Sequence, residues 1–228
     1  MSDNILCFDI ETIPQQEPLQ HSQYEDYKKR VKSYLKKAFP NGCTYSEYKK
    51  VSGMIMATSP YLGEIITIGI HSVSDDEEES IAIVGTEKEI LTKFWNGIKG
   101  FNGLFVSFNG LDFDVPFIIK RSMKHGIRPT NNNFMDLKRF SRYPHFDVKQ
   151  VVSDFDRYAI GNLDMLTQFV GVPSPKQGAI KAENVADAFK AGKIDEIAEY
   201  CINDVKSTFE VYKIVKYYTY NPAPAKRY

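Results

Sequence analysis

The 228-residue sequence predicts a single α/β domain in which a mixed β-sheet is flanked by α-helices. Short runs rich in β-branched and aromatic residues alternate with longer segments whose apolar residues recur every three or four positions. In chain order these segments form a strand, a helical insertion, a strand hairpin, a helix-strand-helix region and a long last helix. Because hairpin strands are antiparallel and β-α-β units are parallel, the sheet is expected to be mixed.

The composition is that of an ordinary globular protein, with 43% hydrophobic and 25% charged residues and a net charge of zero. A neutral chain does not bind nucleic acid over its whole surface, but it is compatible with a locally basic groove. The sequence has neither a signal-peptide pattern nor the run of about 18 apolar residues that a membrane span requires. Its cysteines, Cys7, Cys43 and Cys201, are too widely spaced to indicate a disulfide framework or a zinc site. We therefore expect a cytoplasmic protein without membrane contact.

The first strand carries two carboxylates in the segment L-C-F-D-I-E-T-I-P, residues 6–14. Side chains alternate along a strand, so Asp9 and Glu11 share one face while Phe8 and Ile10 share the other. The Cα atoms of the two acids are then about 6.5–7 Å apart, and two carboxylates so close repel each other unless one takes up a proton or a cation lies between them. A divalent metal is the cation that such oxygen ligands favour. This pair alone is weak evidence, because the chain has 29 acidic residues.

Residues 15–60 read as an insertion that contains a basic helix. Apolar residues recur at helical spacing over residues 24–39, with lysines between them. Residues 21–50 contain eight Lys/Arg and three Asp/Glu, a net charge of +5. One interpretation is a basic, tyrosine-bearing arm over a phosphate backbone. The other is a solvated helix face without a ligand, and the sequence leaves both open.

The middle of the chain is predicted to contain strands and capped helices. The predicted strands are residues 64–73, 81–84 and 104–108. A helix begins at Thr86, which forms a capping-box pattern with Glu89. Further helices are predicted at residues 113–125, 135–140, 163–169, 183–190 and 193–218, with a strand near 145–148. The domain is expected to span residues 1–220, and residues 221–228 are predicted to be a disordered tail.

Two later segments carry acidic residues at positions that favour chemistry. In S-F-N-G-L-D-F-D-V-P, residues 107–116, the acids Asp112 and Asp114 stand where a helix follows a strand, and either of them can serve catalysis or cap the helix. In Y-C-I-N-D, Tyr200 and Asp204 are one helical turn apart on the same side. That pair can hold a metal and a water molecule, or it can be a boundary tyrosine beside a solvated acid.

Taken in order, D-I-E-T, F-N-G-L-D-F-D-V-P and Y-C-I-N-D resemble the three exonuclease motifs of the DEDD superfamily, in its DEDDy branch. They are most similar to the predicted 3′–5′ exonucleases related to the proofreading domain of family B DNA polymerases. The resemblance covers nearly the whole chain apart from the insertion and the tail. It implies a ribonuclease H-like fold and metal-binding carboxylates at Asp9, Glu11, Asp114 and Asp204. It also implies that Tyr200 positions the attacking water.

The resemblance further implies a metal-dependent 3′–5′ exonuclease that hydrolyses DNA, expected to be single-stranded, and releases 5′-mononucleotides. Two Mg²⁺ or Mn²⁺ ions about 3.5–4 Å apart would stabilise the attacking and leaving oxygens. Alignment on F-D-V-P selects Asp114 over Asp112 as the metal-binding acid. Thr12 and Asn109 are candidates for holding the terminal nucleotide, and Phe113 is a candidate for stacking on its base.

Two alternatives remain open at this point. The sequence does not identify a residue that recognises the 2′-hydroxyl, the group that distinguishes RNA from DNA, so the same site would also suit a 3′–5′ exoribonuclease. A non-catalytic nucleic-acid-binding module that uses the basic insertion is the second alternative.

Overall fold

The computed structural model describes residues 4–74, 77–138, 140–156, 159, 161–174 and 178–219. The expected tail at residues 221–228 lies outside this range. Among the described residues, we find no helix with the length and apolar character needed to cross a bilayer.

The core of the structure is a five-stranded mixed sheet with the strand order β3-β2-β1-β4-β5. The β1–β2 pair and the β2–β3 hairpin are antiparallel, whereas β1–β4 and β4–β5 are parallel. The prediction of a mixed sheet is therefore confirmed. The strands are β1 (Ile5–Pro14), β2 (Gly63–Ser74), β3 (Glu77–Val84), β4 (Leu104–Ser107) and β5 (His145–Asp147).

Helices cover both faces of this sheet. Those in the described residues are α1 (His21–Ala38), α2 (Tyr45–Ala57), α3 (Glu87–Gly97), α4 (Asp114–Lys124), α5 (Val148–Val152), α6 (Leu163–Val170), α7 (Val185–Lys190) and α8 (Ile194–Thr219). The capping box predicted at Thr86 is present, since its side chain accepts a hydrogen bond from the backbone N–H of Glu89. The second helix of the insertion, α2, was not predicted, although Thr44 and Glu47 form a capping box at its start.

The short helix predicted at residues 135–140 is wrong. The described residues of this stretch form a turn and irregular backbone. The Asn131 side chain donates to the carbonyls of Ile98 and Phe101 and accepts from the N–H of Phe134. Such side-chain bonds to backbone groups compete with helical hydrogen bonds, and the buried Phe134 ring fixes the chain in this irregular path.

Side chains alternate between the two faces of the sheet along β1, so neighbouring residues pack against different helices. Leu6, Phe8 and Ile10 pack on the face covered by α3 and α4. Ile5 and Cys7 pack on the opposite face, against α5 and α8. Asp9 and Glu11 continue this second set, so they point toward α8.

The insertion is a helical pair fastened to the end of β1. Tyr27 and Val31 of α1 pack with Leu62 and with side chains of α2. The carbonyl of Ala57, the last residue of α2, would lie 2.8 Å from a Cβ added at Gly63, and the carbonyl of Ile13 would lie 3.0 Å from it. Only glycine fits so close a contact, so the insertion sits directly beside the carboxyl end of β1.

Candidate active site

The first two candidate carboxylates lie together against the last helix. Oxygens of Asp9 and Glu11 and the thiol sulfur of Cys201 all lie within 4.8 Å of one another. The Cys201 sulfur is 3.8 Å from Asp9 Oδ2 and 3.6 Å from the Asp9 carbonyl oxygen. Glu11 is buried, and Asp9 is partly exposed. Strand periodicity therefore places both carboxylates on one face of β1, and α8 covers that face.

Asp114 reaches the same place from the other side of β1. It is the first residue of α4, is 2% exposed, and its Oδ1 accepts a hydrogen bond of 3.0 Å from the backbone N–H of Ile10. The pairing of β4 with β1 ends at Cys7, so the N–H of Ile10 lies beyond the end of that ladder. Asp114 provides the hydrogen-bond acceptor for this N–H, which belongs to the residue between Asp9 and Glu11. Asp112, in contrast, is exposed.

The loop that delivers Asp114 is held by a second buried acid, Asp147. This carboxylate, at the end of β5, accepts hydrogen bonds from the N–H groups of Asn109 (2.9 Å) and Leu111 (3.0 Å). It also caps α5 by accepting from the N–H of Gln150. Sequence reasoning missed this positioning role. Its position just before a helix signals a cap, but no local pattern signals bonds to residues 36 and 38 positions earlier.

The last helix approaches β2 at a glycine. A Cβ added at Gly69 would lie 2.8 Å from the Cys201 sulfur and 3.0 Å from its carbonyl oxygen. Gly69 is the direct partner of Asp9 in the β1–β2 ladder. The missing side chain therefore lets α8 lie close enough to place Tyr200 and Asp204 beside Asp9. Tyr200 is 7% exposed, and its phenol is hydrogen-bonded to Asp204.

The electrostatics show how closely these acids are gathered. Burial raises the pKa of Asp9 well above its usual value, and the charges of Asp114, Asp204 and Glu11 raise it further. Burial and the charges of Asp204 and Asp114 likewise raise the pKa of Glu11. The pKa of Asp114 rises to about 7, mainly because the group is buried. The pKa of Tyr200 is raised by burial first and then by the neighbouring carboxylates.

This donor set fits divalent cations. No lysine or arginine is among the described groups that shift the pKa values of Asp9, Glu11, Asp114 or Tyr200. Four carboxylates without a compensating positive charge are unstable in their ionised form. Hard oxygen ligands prefer hard divalent cations, so ions of this class would resolve the repulsion.

The three candidate substrate contacts lie in different surroundings. Thr12 follows Glu11 on β1, at the point where the register of the β1–β2 pairing shifts, and its side chain is half-buried. Asn109 has a left-handed φ of 67° and lines a cavity of about 60 Å³ near Asp112. None of the four candidate carboxylates lines that cavity. The ring of Phe113 is partly buried and lies 5.5 Å from the ring of Phe117.

A mixed sheet of this order, flanked by helices on both faces, is a ribonuclease H-like α/β fold. Residues 58–222 match the sequence model of a family described as predicted 3′–5′ exonucleases related to the exonuclease domain of PolB. The chain belongs to this family. The matched range begins after β1 and does not include Asp9 and Glu11. The structure places these two residues beside Asp114 and Asp204, which lie within the matched range.

Archaeal DNA polymerases are among the proteins to which this chain is similar. The chain is 25% identical over 145 residues to a DNA polymerase of Pyrococcus glycovorans, and this alignment covers 58% of the chain and 18% of the polymerase. It is 25% identical over 147 residues to that of Thermococcus gorgonarius, covering 58% of the chain and 19% of the polymerase. The family B DNA polymerase structure from Pyrobaculum calidifontis superposes with a TM-score of 0.59 and 18% identity, over 93% of the chain and 24% of the polymerase. The chain thus spans less than a fifth of these two sequence relatives, and the superposition supports the fold.

Proposed function

We propose that this protein is a metal-dependent 3′–5′ exonuclease that removes 5′-mononucleotides from the 3′ end of single-stranded DNA. Membership of a family of predicted exonucleases supports the reaction class. The observation that carries the proposal is the convergence of four carboxylates and one phenol, drawn from β1, α4 and α8, on one end of the sheet.

In this proposal Asp9, Glu11, Asp114 and Asp204 are the ligands of two Mg²⁺ or Mn²⁺ ions. When bound, the ions supply Lewis-acid stabilisation of the attacking and leaving oxygens at phosphorus. The carboxylates hold their positions through the protein itself: Asp114 is fixed by its bond to Ile10, and Asp9 and Glu11 are fixed by the strand.

Tyr200 is proposed to orient the attacking water by a hydrogen bond. Burial and then the neighbouring acids raise the pKa of its phenol, so the group stays protonated at neutral pH; it donates its one proton to Asp204, and its oxygen can accept a hydrogen bond from the water. It therefore orients the water and does not remove its proton. Thr12 and Asn109 are proposed to hold the terminal nucleotide, and the exposed part of Phe113 is proposed to contact its base.

A 3′–5′ exoribonuclease using the same carboxylates is the second candidate. The described site residues contain no feature that distinguishes a 2′-hydroxyl from hydrogen, so the two substrates must be compared directly.

The test is degradation of matched DNA and RNA oligonucleotides, single-stranded and duplex, by the purified protein in Mg²⁺, in Mn²⁺ and in EDTA. A 5′-labelled DNA strand should shorten stepwise, and a 3′-labelled strand should release a labelled mononucleotide first. Asp9→Ala should be inactive while retaining the circular dichroism spectrum of the wild type. Absence of metal-dependent shortening of every substrate, or equal turnover by Asp9→Ala, would overturn the proposal.

A further inference from the structure

The insertion carries a stripe of positive charge on one face of α1. Lys28, Lys32 and Lys36 are four residues apart, so their side chains share a face and are spaced about 6 Å along the helix axis. All three are exposed. Lys28 pairs with Glu25 at 2.8 Å, while no carboxylate of the described residues forms an ion pair with Lys32 or Lys36. Within that part of the chain, these two ammonium groups are available to an anion.

Exposed tyrosines accompany these lysines. Tyr24 is 47% exposed and Tyr45 is 72% exposed. The Nζ atom of Lys28 lies 4.8 Å from the centroid of the Tyr24 ring, and that of Lys49 lies 4.8 Å from the Tyr45 ring. Aromatic rings beside ammonium groups suit a single strand, because bases stack on the rings while phosphates meet the cations.

The insertion also borders the carboxylate end of β1. The carbonyl of Ala57, at the end of α2, and the carbonyl of Ile13, near the end of β1, both lie beside Gly63. Lys50 of α2 forms a 2.6 Å ion pair with Glu183, just before α7. Residues of α7 pack with Ile13 and with Tyr200. A strand that ends at the carboxylates therefore has the insertion as an immediate neighbour.

The charge distribution favours the same occupant. The whole chain is neutral and residues 21–50 carry +5, so the remaining residues together carry −5. A polyanion is thus attracted to the insertion more than to the rest of the chain.

We propose that Lys28, Lys32 and Lys36 bind the phosphates of a single DNA strand whose 3′ end occupies the carboxylate site. This inference rests on the proposed exonuclease function for the position of the 3′ end. The lysines contact nucleotides upstream of the terminal one, so they increase affinity for long strands and leave the chemistry of the last phosphodiester unchanged.

The test replaces the three lysines together, as Lys28→Gln/Lys32→Gln/Lys36→Gln, and measures binding of a fluorescent single strand of about 20 nucleotides in EDTA. Each phosphate contact on a single strand contributes about 0.7 to the slope of log Kd against log salt. Loss of three contacts should lower that slope by about 2, which corresponds to about hundredfold weaker binding at about 0.1 M salt. Glutamine keeps most of the side-chain length, so the fold of the exposed helix is preserved.

A matched control removes three exposed lysines from the side of the sheet that α3 covers, opposite the side covered by α8. The control variant carries the same substitution at α3 and the residues after it, at Lys88, Lys93 and Lys99. It should bind the strand with the wild-type Kd and slope. Hydrolysis of p-nitrophenyl thymidine 5′-monophosphate, which is too short to reach α1, should keep its kcat/KM in both triple variants.

The outcomes separate this inference from the proposed function. A wild-type Kd and salt slope in the α1 variant, or an equal loss in the α3 variant, overturns the role of the insertion even if the enzyme degrades DNA. A wild-type protein that binds the strand through α1 but hydrolyses no substrate overturns the exonuclease proposal, and with it the position assigned to the 3′ end.

Discussion

Asp9→Asn separates the catalytic role of this side chain from its effect on stability, because the two should change in opposite directions. The substitution keeps the size of the side chain and removes one charge from the carboxylate cluster. Oxygens of Asp9 and Glu11 lie within 4.8 Å of each other. At an effective dielectric constant of about 20, two unit charges at that distance repel by about 3 kcal/mol.

We therefore expect the metal-free Asp9→Asn variant to be more stable than the wild type at pH 8, by about 2–3 kcal/mol at most, because proton uptake already relieves part of the repulsion. Turnover should fall about a thousandfold, since loss of a ligand removes about 4 kcal/mol of transition-state stabilisation. Urea denaturation in EDTA measures the first quantity, and kinetics on a labelled single strand in Mg²⁺ measure the second.

Asp112→Asn is the matched control, because Asp112 is exposed and lies outside the cluster. It should leave both stability and turnover near wild-type values. The reasoning is refuted if Asp9→Asn lowers stability in EDTA, or if its turnover equals that of the control.

Three further predictions follow from the same geometry. Gly69→Ala should lower the free energy of unfolding by about 1–3 kcal/mol and reduce turnover, because the added Cβ would lie 2.8 Å from the Cys201 sulfur of α8. Gly53→Ala is the control, because a Cβ there meets open space, and it should not lower stability in thermal unfolding. Tyr200→Phe should reduce kcat less than Asp204→Ala, because it removes a hydrogen bond and not a ligand; equal losses would contradict this ranking. Asp114 retains its proton up to about pH 7 in the folded state but only up to about pH 4 in the unfolded state. The free energy of unfolding in EDTA should therefore fall by up to about 4 kcal/mol as the pH rises from about 4 to about 7. A free energy of unfolding that stays constant over this range, measured by urea denaturation, would count against the prediction.

Local periodicity explains how much of the candidate site could be predicted. A period of two places Asp9 and Glu11 on one face of a strand, and a period of 3.6 places Tyr200 and Asp204 on one side of a helix. The structure brings these two pairs together, while their catalytic roles stay proposals. The order of the motifs along the chain indicated the family, and the match over residues 58–222 confirms that family.

The insertion shows a mixed result. Its basic helix was predicted from periodicity and is present as α1, although it begins three residues earlier than expected and ends one residue earlier. The second helix, α2, was missed in spite of its capping box. The sequence left open whether the basic face binds a ligand, and only the contact of α2 with the end of β1 places it beside the carboxylates.

The sequence by itself determined which side chains share a face of each element, because that depends on the backbone repeat alone. The tertiary structure decided which elements meet. The bond from Ile10 to Asp114 spans 104 residues, and the contact between Cys201 and Asp9 spans 192. Such contacts depend on the strand order and on the close approach that Gly69 allows, and no local pattern encodes either of these.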